Sequence, residues 1–245
     1  MKIQIFIFAF NRPDFLESQV ECLRKNIKND NYEINVIYNY RIPDHLYQFK
    51  FICENMNLNL YEHKSPEGNY SASYYHGECL NWTYKNIILT KHSEDFILML
   101  DHDMFLLEEF DILEYMSDYD FSGLLQSRDN IKYVWPGLLF LNTKSLGKFE
   151  LNFLPLSVNG ISLDTGGGTY KLFDNFKFKP YEVVYPDLFE DIDLKNIGSD
   201  YEFELHLEEK FLHYRNASFW NNQFQVFKNT KKDEILNRVL IFFLK

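Results

Sequence analysis

The stretch Phe96-Ile97-Leu98-Met99-Leu100-Asp101-His102-Asp103 decides how this chain is read. Apolar residues in unbroken succession, without alternation, describe a strand covered on both faces, the habit of a parallel sheet sandwiched by helices. The run ends on two carboxylates. In open α/β sheets ligands bind just beyond the carboxyl ends of the strands. Asp-x-Asp by itself is a weak signal. The chain has 17 Asp and three such triplets, at 101–103, 118–120 and 191–193, and chance placement gives roughly one. Only the first follows directly on an apolar strand. Two carboxylates held together there need a counter-charge, and a hard divalent cation with oxygen ligands supplies one. The other two triplets read as solvated loops, as does the acidic run Glu190, Asp191, Asp193, Asp200 and Glu202.

Outward from this strand the pattern repeats. Residues 3–10 are another apolar run. Pro13 sits where a helix begins, and Leu16, Val20, Leu23 and Ile27 fall on one helical face. Residues 34–40 read as a second strand, 44–55 as a short helix and 58–61 as a third strand. The order β-α-β-α-β argues for a doubly wound α/β arrangement: a mostly parallel sheet flanked by helices. A helix over 73–90 carries Tyr75, Cys79, Trp82 and Asn86 on one stripe and Leu80, Tyr84 and Ile87 on the next. Beyond the acidic strand, the pattern predicts a helix over 108–119, strands at 121–126 and 134–142, and a short helix after Asp164-Thr165-Gly166-Gly167-Gly168-Thr169. Late strands follow at 181–185 and 210–215, then an apolar helix over 233–244. Without repeats or a linker, residues 1–245 read as a single domain.

Composition narrows the partners. With 25 Lys+Arg against 36 Asp+Glu the net charge is −11. Such a surface repels phosphate backbones, so nucleic acid is excluded as a general partner. A phosphate-bearing ligand then needs a local device, a metal or an Arg. Residues 1–10 resemble a leader, but Gln4 interrupts them and Asn11-Arg12-Pro13-Asp14 follows where a small-residue cleavage site would stand; they read as a buried strand. No apolar run reaches the ~20 residues of a membrane span. Three scattered cysteines suit a reducing compartment. Abundant Asn, Lys, Ile, Phe and Tyr hint at an A+T-rich genome. The expected location is therefore cytoplasmic, in a bacterium or for a virus within its host cell. Ile235, Leu236, Val239, Leu240, Phe242 and Phe243 are too apolar to be solvated; packing on the domain or a homodimer contact through this helix is expected over a membrane surface.

A first strand ending in Asn11-Arg12-Pro13, then β/α units, then an apolar strand ending in Asp101-His102-Asp103 resembles the metal-dependent GT-A-fold glycosyltransferases. The resemblance covers most of residues 1–220 and implies transfer of a sugar from a nucleoside-diphosphate donor, a UDP-sugar favoured, to a glycan or other hydroxyl acceptor. It implies a nucleotide-binding half at 1–103, an acceptor-binding half with a late metal ligand at 104–220, and a helical extension at 221–245. Mn2+ or Mg2+ would be held by Asp103 directly, with Asp101 on the metal or the ribose and His213 as the late ligand. A sugar-nucleotide nucleotidyltransferase, or a non-catalytic carbohydrate-binding protein, would share the fold.

Other residues are assigned by the same resemblance. Arg215 would contact the leaving diphosphate, since a guanidinium binds phosphate in a planar fork. On a strand, Phe211, His213 and Arg215 share a face and Leu212 and Tyr214 the other. The stretch from His213 to Ser218 and Trp220 also fits a late His-x-x-x-x-Ser-x-Trp pattern. Asn11 and Arg12 would cup the base and ribose, Asn11 being equally suited to cap the helix that Pro13 starts. Gly77 and Asn81 on the helix before the acidic strand loosely fit the Gly-x-x-x-x-Asn pattern of such enzymes, and His76 would then face the nucleotide; ordinary packing is the other reading. Trp135 would stack on a sugar ring, or sit in the core at a turn. Gly166 and Gly167 would let backbone N–H groups approach the donor, and Asp164 would be the general base if the enzyme inverts, or only a helix N-cap; Asp200 is the next candidate. His206 reads as a surface residue of an acidic helical stretch. The second strand ends Asn39-Tyr40-Arg41, without the Asp that such enzymes often carry there for the base.

Overall fold

The computed structural model describes residues 2–185, 203–215 and 230–244, together with the backbone of the short strands at 188–189 and 192–193. Strands β1 (Ile3–Ala9), β2 (Tyr32–Tyr40), β3 (Asn59–Lys64) and β4 (Phe96–Asp101) are followed by β5 (Met104–Leu106), β6 (Phe121–Arg128) and β7 (Ile131–Asn142). A small hairpin, β8 (Leu156–Val158) and β9 (Ile161–Leu163), precedes β10 (Phe178–Tyr181) and β11 (Val183–Val184). Then come β12 (Leu188–Phe189), β13 (Ile192–Asp193), β14 (Phe203–His206) and β15 (Phe211–Tyr214).

The main sheet has seven strands in the order β10-β6-β7-β4-β1-β2-β3. β1 pairs in parallel with both β2 and β4, and β2 with β3, while β7 runs antiparallel between β4 and β6. β1 is buried throughout, which is why its sequence does not alternate. One face of the sheet forms a core with helix α1 (Pro13–Asn26) and helix α2 (Leu46–Asn55); Leu16, Val20, Leu23 and Phe49 are buried there. The other face packs on helix α3 (Ala72–Thr83), which continues through a π-helical turn at Tyr84–Ile88 and buries Cys79, Leu80, Tyr84 and Ile87. Asn86, on the stripe with Tyr75, Cys79 and Trp82, is exposed.

A second sheet, β11-β14-β15-β5, stands beside the acidic turn. Its strand β5 follows Asp103 directly and pairs with β15, so His213 is registered against Met104. The C-terminal helix Thr230–Leu244 covers this sheet: Ile235, Leu236, Val239 and Leu240 pack with Phe15, Cys22, Phe105, Leu212 and Tyr214. The apolar stripe expected in that helix thus finds its cover on the chain itself, with Ile241 and Phe242 left exposed. Among the described residues no helix is long and apolar enough to cross a membrane. The cysteines are free and buried.

Two elements differ from expectation. The helix expected over 108–119 is reduced to Ile112–Tyr115, capped by Asp111. Backbone hydrogen bonds from Phe110 N to Asn26 O and from Lys28 N to Phe110 O pin the chain before it in an extended bridge. The strand expected at 181–185 divides between the sheets, β10 pairing with β6 and β11 with β14.

Candidate active site

The site is built at the carboxyl ends of β1 and β4. The Asp101–Met104 turn is pinned from below by Gln19 of α1, whose amide donates to the backbone oxygens of Asp101 (2.8 Å) and Met104 (2.7 Å). His102 points inward, with Nδ1 3.0 Å from Phe8 O. Burial lowers its pKa, so the neutral ring donates that proton. With His102 anchored, its neighbours Asp101 and Asp103 are displayed on the opposite side of the turn.

Each carboxylate meets a histidine. Asp101 Oδ1 lies 3.0 Å from His76 Nε2, and Asp103 Oδ1 lies 3.7 Å from His213 Nε2. Burial pushes the Asp101 carboxyl up, but the charge and hydrogen bond of His76 outweigh it and the pKa is lowered. For Asp103 burial wins and the pKa is raised, with Asp101 adding repulsion. Burial lowers both imidazoles, yet His76 is raised overall by Asp101, and His213 by Glu204 and Asp103. Among the described residues no Lys or Arg pairs with either aspartate. This is the donor set that suits a hard divalent cation: two oxygens and an imidazole, at a place where the carboxylates repel each other.

Trp135 closes one side. Its ring lies against His206 (centroids 5.6 Å apart) and His213 (5.2 Å). β6 and β7 lose register between Gly123 and Leu124, so Leu124 pairs with Trp135 while Gly123 pairs with Leu139. Such a bulge re-aims side chains beside a site. Gly137 lies within it, and a Cβ there would stand 2.1 Å from the Trp135 ring and 2.8 Å from Asp101 Oδ2.

His206 is a correction. It lies on β14, not in a surface helix, and is fully buried. Its Nε2 is 3.1 Å from Glu204 Oε2, which also lies 3.0 Å from His213 Nδ1; Arg215 Nε is 3.0 Å from Oε1 of the same carboxylate. His213 and Arg215 therefore share a face, as the alternation predicts, while Leu212 and Tyr214 enter the core under the C-terminal helix. The sequence reading did not single out Glu204 or Gln19.

The remaining candidates are placed as follows. The Arg12 guanidinium is buried, chelates Asp14 through Nε (2.9 Å) and Nη2 (2.7 Å), and sits over the Phe15 ring. Asn11 is half-buried in the same loop. Asn81 ties down the 152–153 segment, donating to Asn152 Oδ1 (3.0 Å) and accepting from Phe153 N (2.8 Å). The glycines admit the chain's own backbone: a Cβ on Gly77 would stand 2.5 Å from Phe153 O, and one on Gly166 2.2 Å from Val134 O. Gly166 has φ +85, which favours glycine, and it rather than Asp164 occupies the cap position of the 3₁₀ helix Gly167–Asp174. The exposed Asp164 carboxylate instead accepts from Thr165 N at 2.8 Å. Thr165 Oγ1 ties that loop to Ser73 O at the start of α3, and Asp164 adds to the field that raises His76. Asp200 and the Asn216–Trp220 part of the late pattern lie outside the described residues.

No protein-family model matches this sequence, and no curated protein does. Solved structures do match. A mannosyltransferase from Pyrobaculum calidifontis, PcManGT, in complex with GDP-Man and Mn2+, superposes with a TM-score of 0.50 at 11% identity, over 73% of this chain and 54% of that one. The galactosyltransferase LgtC, solved with donor and acceptor sugar analogues, gives 0.45 at 11% identity over 72% of each chain. The glycosyltransferase GlyE of Streptococcus pneumoniae gives 0.40 at 13% identity. The chain thus spans about half the length of the mannosyltransferase. With its central, mostly parallel seven-stranded sheet flanked by helices, this chain has the GT-A glycosyltransferase fold.

Proposed function

We propose that this chain is a metal-dependent glycosyltransferase that moves a sugar from a nucleoside-diphosphate donor to a hydroxyl acceptor. The observation that carries the reading is the convergence of Asp101, Asp103 and the late His213 at the carboxyl edge of the parallel strands. Fold alone does not fix function; this donor set at this edge is what favours transfer. Asp103 and His213 Nε2 would hold Mn2+ or Mg2+, with Asp101 as a further ligand or a contact to the ribose. The ion supplies neutralisation of the charge that grows on the leaving diphosphate.

The chain's own groups do the rest. Arg215, tethered by Glu204 beside His213, would extend toward the diphosphate. His76 would orient Asp101 through their 3.0 Å ion-pair contact. Asn11 and the Arg12 loop would border the base and ribose, and Trp135 would offer a ring face to a sugar. Asp164, exposed on the loop anchored to α3, is the candidate base for the acceptor hydroxyl in an inverting reaction. A UDP-sugar is the favoured donor and a glycan the favoured acceptor. Buried, unpaired thiols fit a cytoplasmic, reducing setting.

A panel of nucleotide sugars with Mn2+, scored by released nucleotide, tests the reading. At least one donor should be turned over slowly, even by water, and EDTA should abolish the release. Full turnover in EDTA, or no release from any donor, would overturn it.

A further inference from the structure

One buried carboxylate beside the site enters the scheme above only as the tether of Arg215. Glu204 and His213 are register partners in the β14–β15 ladder. Glu204 is 7% exposed and His213 8%. Oxygen Oε2 of Glu204 is 3.0 Å from His213 Nδ1 and 3.1 Å from His206 Nε2, and Oε1 is 3.0 Å from Arg215 Nε. The opposite nitrogen of His213, Nε2, faces Asp103.

Resting on the reading of Asp103 and His213 as metal ligands, we propose that Glu204 is the positioning residue that holds His213 in its Nδ1–H tautomer and so aims the Nε2 lone pair at the ion. An ionised carboxylate only accepts hydrogen bonds, and a neutral imidazole has one donor and one acceptor nitrogen. The nitrogen facing Glu204 must therefore carry the proton, and the nitrogen facing Asp103 is left as the ligand atom. A carboxylate behind a metal-binding imidazole fixes both tautomer and ring orientation. His206 and Arg215 complete the support. They restrain the carboxylate from two further directions, His206 on Oε2 and Arg215 on Oε1, and Trp135 lies against both imidazole rings. Burial pushes the Glu204 carboxyl up, but its hydrogen bonds to His206 and His213 more than offset this and hold it below the usual range.

A competing arrangement would place an ion among Glu204, His206 and His213 themselves, whose ligand atoms lie within 4.8 Å of one another. The guanidinium at 3.0 Å argues against it, since it already supplies the positive charge that such an ion would bring. Each imidazole is also placed to donate an N–H to the carboxylate.

The test measures metal binding, not turnover. Mn2+ affinity and stoichiometry are read by electron paramagnetic resonance on the wild type, Glu204→Gln and Glu204→Leu, with circular dichroism as the folding control. The Gln carbonyl can still accept from Nδ1–H, so Glu204→Gln should bind Mn2+ within a few-fold of wild type. Glu204→Leu should bind about 10–100-fold more weakly, and the stoichiometry should be one ion per chain throughout. In parallel, nitrogen NMR of 15N-histidine-labelled wild type, loaded with Zn2+ as a diamagnetic probe, should show His213 protonated at Nδ1. Wild-type affinity in folded Glu204→Leu overturns the proposal, as does an unprotonated His213 Nδ1. Two ions in the wild type, falling to one in Glu204→Leu, would make the cluster a metal site in its own right. Absence of any bound metal in the wild type sinks this proposal together with the reading it rests on. If Glu204→Leu does not fold, the wild-type tautomer decides alone.

Discussion

Replacing Asp103 by Asn is expected to lower sugar transfer by at least about 10²–10³-fold, the scale on which a group stabilising transition-state charge is felt, while the metal-free protein melts no lower than wild type. The two halves of this expectation have one cause. Asp103 is 4% exposed, and its carboxyl is pushed up by burial, with repulsion from Asp101 adding to that. A carboxyl whose folded pKa lies above its unfolded value of about 3.9 binds its proton more tightly in the native state. Stability is then lost as pH rises through the window from the unfolded to the raised folded value. At neutral pH the ionised group opposes folding, and an amide relieves that repulsion. The same crowding creates a strong site for a divalent ion, so removing the charge removes the function. Thermal melting in EDTA and a transfer assay with Mn2+ check the two halves separately. A variant that melts well below wild type would show that Asp103 is a structural carboxylate.

Asp164→Asn is expected to fail differently. Asp164 is exposed, and its side chain accepts from Thr165 N. Asn can still accept that hydrogen bond but cannot take a proton from an acceptor hydroxyl. Binding of the nucleoside diphosphate with Mn2+ should be near normal by calorimetry, and transfer reduced by about 10²–10⁴-fold. Transfer at the wild-type rate would leave Asp164 as a loop residue and direct the search to Asp200.

Much of this arrangement is legible in the sequence, for physical reasons that differ along the chain. β1 and β4 are legible because strands buried on both faces need apolar residues without interruption, and the position of Asp101 and Asp103 follows from the end of that run. α1 is legible because Leu16, Val20 and Leu23 keep a helical stripe and Pro13 fits the first turn. Gln19 interrupts that stripe, and a polar residue on a buried face was the available signal for its grip on the aspartate turn. Glu204 and His206 were hidden by charge. Phe203, Leu205 and Leu207 alternate with them at the period of a strand, but the density of acidic residues favours a helical or solvated reading. The hairpin that follows is also unmarked: Leu207, Glu208 and Glu209 adopt positive φ (55, 53 and 65) without a glycine, asparagine or aspartate among them. The glycine-rich stretch misled in the opposite sense. Two of its glycines, Gly166 and Gly168, answer to close approaches by Val134 and Asn152, contacts more distant along the chain that no local pattern encodes.

The central claim is that Asp101, Asp103 and His213 together hold one divalent ion under a nucleoside diphosphate. A crystal grown with Mn2+ and UDP, measured for anomalous scattering, tests it most directly. The account predicts a single anomalous peak within bonding distance of an Asp103 oxygen and His213 Nε2, next to Asp101 and touching the diphosphate. A peak enclosed by Glu204, His206 and His213 instead, or a bound diphosphate with no peak beside it, would contradict it.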